Sequence, residues 1–132
     1  MLRIPRNLAD EIIRHAHEGF PLEVCGILAG KNGAITNLYR MVNTDRSNEH
    51  FMMDPREQFT VVKEIRKEGL EMMAIYHSHP ESPARPSAED IRLALTPDVS
   101  YLIVSLIKPD EPDLKSYLIS SGLVEPENLE YL

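Results

Sequence analysis

Apolar positions along the chain change period several times, and each change marks an element. Ala9, Ile12, Ile13 and Ala16 stand three and four residues apart among charged neighbours, a helical period over 6–18 that Gly19 ends. VCGILAG at 24–30 is a short, continuous apolar run, the pattern of a buried strand. Asn32-Gly33 is a hairpin signal, because this pair accepts the positive φ values of a tight turn, and AITNLYRMVN at 34–43 reads as the returning strand. The polar run 44–50 reads as a loop, with Phe51–Met53 as a short strand after it. Asp54, Pro55 and Glu57 open a second helix as cap, first-turn proline and acidic partner of a capping box, and Gly69 stops it after about Lys67. MMAIYHS at 72–78 is a strand, and SAEDIRLAL at 87–95 is a short helix stopped by Thr96-Pro97-Asp98. SYLIVSLI at 100–107 and LKSYLIS at 114–120 are strands joined by the turn-rich KPDEPD, and the final VEPENLEYL fits no single period. The order α-β-β-α-β-α-β-β mixes hairpins with helical crossovers. It predicts an α/β fold in which helices flank a mixed sheet.

Composition narrows the class. Residues 1–132 suffice for one domain with one ordinary core. No apolar run approaches the roughly 20 residues that span a bilayer, so no membrane partner is expected. The first residues, MLRIPRNLADEIIRHAHEG, alternate charged with apolar positions and lack a signal-peptide core, so a cytoplasmic location is expected. The single cysteine, Cys25, excludes an internal disulfide and a cysteine-built zinc site. A formal charge of −7 with scattered Lys and Arg residues argues against nucleic acid as a partner.

The chemistry concentrates in YHSHPESPARPSAED, residues 76–90. In a strand, residues i and i+2 share a face, so His77 and His79 project their imidazoles to one side at the strand's end. Two neutral imidazoles and one carboxylate suit zinc, with a fourth position open for water. Asp90, in the first turn of the following helix, can supply the carboxylate, and Pro80, Pro83 and Pro86 stiffen the connecting loop. Ser87 with Asp90 also matches a plain helix capping box, and cap and metal site can coexist. A metal-activated water still needs a base. Glu23, the one charge inside FPLEVCGILAG, is in position either for that role or to point to solvent at a strand entry. Cys25 reads as a small buried hydrophobe, and His15, His17 and His50 as ordinary surface or core residues.

Glu23 followed by His77-Ser78-His79-Pro80, Ser87 and Asp90, with ten residues between His79 and Asp90, resembles the JAMM signature of the Mov34/MPN/PAD-1 zinc metallopeptidases. PLEVCGILAG and NTDRSNEHFMMDPREQF extend the resemblance over almost the whole chain, toward the small stand-alone prokaryotic members. The resemblance implies a cytidine-deaminase-like α-β-α sandwich, with His77, His79 and Asp90 as zinc ligands. It also implies Glu23 as general base and then acid, and Ser87 as stabiliser of the oxyanion. The substrates it implies are ubiquitin-like or sulfur-carrier proteins with a Gly-Gly tail, freed of a cysteine, a peptide or a conjugated protein. A Gly-Gly tail suits close passage of an extended backbone past a metal, paired with a strand edge. The loop Pro83-Ala84-Arg85-Pro86 lacks the bulky aromatics of the family's ubiquitin-chain enzymes, so linkage-specific cleavage is not implied. A non-catalytic module that only binds such tails is the alternative, and intact Glu23 favours the enzyme. A zinc deaminase would need a Pro-Cys-x-x-Cys that one cysteine cannot supply.

Overall fold

The computed structural model describes Met1–Leu132. In chain order the elements are β1 (Leu2–Ile4), α1 (Arg6–Gly19), β2 (Cys25–Lys31), β3 (Ala34–Met41), α2 (Pro55–Lys67), β4 (Glu71–His79), α3 (Ala88–Arg92), β5 (Ser100–Ser105), β6 (Asp113–Ser120), β7 (Leu123–Glu127) and β8 (Leu129–Tyr131). The strands form one mixed sheet in the order β7-β6-β5-β4-β2-β3-β1-β8. β4 and β5 are parallel and β1 runs parallel to both β3 and β8, while the remaining pairs are antiparallel.

Alternation along the central strands fills two cores. Leu28, Ala74, Tyr76, Leu102 and Val104 pack with Ala9, Ile12 and Ala16 of α1 on one face. Ile27, Ile75, Tyr101 and Ile103 pack with Ile65 of α2 on the other. Both faces are therefore apolar in the middle of the sheet, which is why β2 and β5 read as continuous apolar runs. The Asn32-Gly33 turn has positive φ at both residues, 55° and 76°, as its hairpin role requires. No helix is long and apolar enough to cross a membrane.

Four expectations need correction. Phe51–Met53 is not a strand, because loop partners take the groups a ladder would use: Asn43 Oδ1 accepts from Met52 N, and Met52 O accepts from Thr44 N. Asp54 caps α2 by accepting from Arg56 N, but Glu57 turns away and accepts from Val42 N, so no capping box forms there. The third helix is confined to 88–92. The tail that fitted no period makes β7 and β8, and β8 returns to pair Leu129 with Leu2 of the equally unexpected β1.

Candidate active site

Ile75, His77 and His79 of β4 face the α2 side of the sheet, with the histidines at the strand's C-terminal end. Both histidines are buried, at 3% and 4% exposure. Their Nε2 atoms lie 3.1 Å apart, and Asp90 Oδ2 lies 3.1 Å from one and 3.0 Å from the other. Cap and convergence coexist on α3: Ser87 Oγ accepts from Asp90 N, Asp90 Oδ2 accepts from Ser87 N, and the same Oδ2 faces the histidines.

The arrangement fits a metal ion. In a tetrahedral zinc site with bonds of about 2.0–2.1 Å, ligand atoms stand roughly 3.3 Å apart, close to the three separations here. His79 Nδ1 donates to the Pro83 carbonyl at 2.8 Å, which leaves a lone pair on Nε2 pointing at Asp90 Oδ2, itself an acceptor. Two acceptors at 3.0 Å call for positive charge between or upon them. Titration tendencies agree. Burial lowers His79, but its hydrogen bonds to Asp90 and Pro83 outweigh this and raise it. Burial raises Asp90, yet both histidines together hold its carboxyl well below the usual range. Burial dominates at His77 and keeps its imidazole below the ordinary value. His77 Nδ1 is buried without a hydrogen-bond partner; the Phe51 ring, stacked at 4.7 Å, orients this imidazole instead.

Glu23 does not point to solvent. It is 4% exposed, its Oε1 is buried without a partner, and it lines a cleft of about 270 Å³ together with His79 and Ser87. Burial pushes its carboxyl up to about 8, against the pull of His79. Its backbone is held on both sides. Glu23 N donates to Ser47 O, Asn43 Nδ2 donates to Glu23 O, and Val24 N donates to Ser78 Oγ. Asn43 Nδ2 also donates to His50 O, and its Oδ1 accepts from Asp45 N and Met52 N. One amide thus ties Glu23 to the segment carrying Phe51.

The structure brings Glu23, His77, His79, Ser87 and Asp90 into one neighbourhood, and its sequence-predicted members are all there. Asn43 and Phe51 escape sequence reasoning because their partners lie far along the chain and no spacing marks them. Ser78 stands within the motif without an evident task; its hydroxyl pins the entry to β2. His50, read as an ordinary surface or core residue, is half-buried and lines a largely apolar pocket beside His77 and Asp90. Cys25 is fully buried, and burial pushes its thiol up to about 12, so it is inert as expected. One expectation fails: β4 is paired on both sides, by β2 and β5, so the sheet offers no free edge at the site.

Residues 5–120 match the model of the prokaryotic homologs of the JAB domain. A CysO-cysteine peptidase of Mycobacterium bovis is 35% identical over 133 residues, covering 98% of this chain and 91% of that protein. A desampylase of Haloferax volcanii is 36% identical over 111 residues, covering 79% of this chain and 80% of that one. The solution structure of protein DSY2949 from Desulfitobacterium hafniense superposes with a TM-score of 0.91 at 45% identity, covering 100% of this chain and 93% of that one.

Proposed function

The chain belongs to the prokaryotic JAB-domain family, and from that premise we propose that it is a zinc-dependent hydrolase that cuts the amide bond after the Gly-Gly C-terminus of a ubiquitin-like or sulfur-carrier protein. The observation that carries this reading is the convergence of His77, His79 and Asp90 beside a cleft into which buried, unpartnered Glu23 opens. Two imidazoles and a carboxylate are a donor set for zinc that leaves one position open. When bound, zinc supplies Lewis-acid activation of water and of the scissile carbonyl.

The chain's own residues do the rest. Glu23 accepts a proton from the attacking water while the water oxygen bonds to the carbonyl carbon. As the C–N bond breaks, Glu23 returns that proton to the departing nitrogen, and a carboxylic acid and an amine result. Burial favours the protonated carboxyl and so suits Glu23 to hold the proton between the two steps, while a cation held by His77, His79 and Asp90 would favour the carboxylate that the first step needs. Ser87 Oγ uses a lone pair on Asp90 N and keeps its hydroxyl proton free to donate to the developing oxyanion. An extended tail enters the cleft lined by Glu23 and His79, where glycine passes closely without a β-carbon to clash.

Elemental analysis of protein purified without added metal should find zinc, and His77→Ala with His79→Ala should lose it. Mass spectrometry on a Gly-Gly carrier extended by one residue should show the tail trimmed back to Gly-Gly. Glu23→Gln should keep zinc and fold and lose about 100- to 10,000-fold in rate. Zinc content indifferent to the histidine pair, or a Glu23→Gln enzyme of normal rate, would overturn the assignment.

A further inference from the structure

The metal group has two openings, and they differ in chemistry. One is the apolar pocket beyond His77 and Asp90, about 60 Å³, walled by Phe51, Leu93, Tyr101, Ile103 and Ile119. The other is the cleft of about 270 Å³ on the far side, with no hydrophobic residue in its lining. Glu23, Glu49 and Glu81 are three of its seven residues; the others are His79, Asn48, Ser82 and Ser87, so no lysine or arginine lines it.

We propose that this acidic cleft receives the departing amine and selects it by charge: an amine on a neutral or cationic chain, such as a lysine side chain of a conjugated protein, is favoured over an amino acid whose own carboxylate adjoins the cleaved bond. The inference rests on the hydrolase reading above and adds the leaving group to it. The side is fixed by proton bookkeeping. The proton that Glu23 carries must end on the departing nitrogen, so that nitrogen comes within hydrogen-bond reach of Glu23 and its substituents extend into the cleft that Glu23 lines. The buried, unpartnered Oε1 of Glu23 marks where such an N–H would bind. Beside it, a carboxylate one bond from the nitrogen's α-carbon meets Glu49 and Glu81 with no lysine or arginine in the lining to offset them, and the charge of the metal acts on the acid and amide forms from the other side of the cleaved bond. The other pocket, largely apolar and with Glu89 as a further carboxylate in its lining, gives a carboxylate no better route. Both acidic side chains sit on exposed residues, so solvent and salt weaken their fields, and a preference of about tenfold at low ionic strength is expected rather than exclusion.

The test uses the zinc-loaded full chain and three substrates on one Gly-Gly carrier: extended by alanine, extended by alanine amide, or joined to the Nε of a lysine within a peptide. The first two differ in the terminal carboxylate alone, and neither carries a thiol to compete for zinc. The amide and lysine forms should show kcat/KM about tenfold above the acid form. The gap should shrink in 0.5 M salt and close in the Glu49→Gln, Glu81→Gln double variant. An NMR titration with alanine and alanine amide reads the same preference without turnover, through shifts at Glu49 and Glu81. Equal cleavage and equal binding of acid and amide overturn the charge selection and leave the hydrolase standing. Preferential binding of the amide without cleavage of any substrate overturns the hydrolase reading and keeps the selection.

Discussion

Under the proposed mechanism Ser87 has two tasks on one hydroxyl, and they use different atoms. Its oxygen lone pair caps α3 through Asp90 N, and its proton remains for substrate. Ser87→Ala should therefore do two things at once. Loss of the cap should lower stability by about 1 kcal/mol, read from urea unfolding. Loss of the donor should lower kcat by about 100- to 1,000-fold. Ser87→Thr keeps both groups and should recover most of each. If Ser87→Ala lowers stability alone, the oxyanion role is wrong and the serine is only a cap. In the sequence Ser87-x-x-Asp90 could be read as cap or as site; the cap forms, and the carboxylate oxygen that closes the box also faces the histidines, so one reading does not exclude the other. Glu23 was ambiguous for a different reason: burial is a tertiary fact, and a charged residue at a strand entry does not declare its direction.

At the scale of elements, the loop between β4 and α3 is held by the strands beneath it. Ser105 Oγ of β5 donates to Ser82 O at 2.6 Å, and the Tyr117 hydroxyl of β6 donates to Ala84 O at 2.5 Å. The carbonyl that orients His79 belongs to Pro83, between those two anchors. Tyr117→Phe leaves the carbonyl of buried Ala84 unpaired, which should lower stability by about 1–3 kcal/mol in chelator-treated protein. Looser support for Pro83 should also weaken zinc binding by about tenfold, measured by competition with a chromophoric chelator. Unchanged zinc affinity would mean the prolines hold the loop unaided. Those prolines were legible in the sequence, whereas the anchors were not, because Tyr117 lies 33 residues from Ala84. The same distinction governs the fold. α1, α2 and the β2–β3 hairpin announce themselves through local period and turn chemistry. β1 and β8 are three residues each and form because β1 pairs with β3 on one side and with β8 on the other, pairings no local window contains.

For the molecule as a whole, the sheet separates the face that carries His77 and His79 from the one that packs on α1, and the second predicts an acid limit on stability. Tyr76, fully buried, lies opposite the histidines and is accommodated by Gly26, where a β-carbon would run into the tyrosine ring. Its hydroxyl meets His15 Nδ1 of α1 at 2.7 Å. Burial, with the charge of Arg40 from β3, lowers His15 to about 4, although Glu18 and Glu11 of α1 pull the other way. Arg40 is itself bridged to both glutamates and offsets one of their two charges, which weakens their pull on an imidazolium. The sign follows by linkage. Between its ordinary value of 6.5 and about 4, unfolded chains hold more protons at His15 than folded ones do. The contribution of neutral His15 is thus complete above pH 6.5 and is lost as pH falls toward 4. Urea midpoints of chelator-treated protein, so that zinc release does not contribute, should fall across this window. His15→Gln cannot titrate and can keep a hydrogen bond to Tyr76, so its midpoint should fall less steeply, even though His77, His79 and Asp90 titrate alike in both proteins. Parallel curves for the two would place the acid limit at the metal face instead of at the His15–Tyr76 contact.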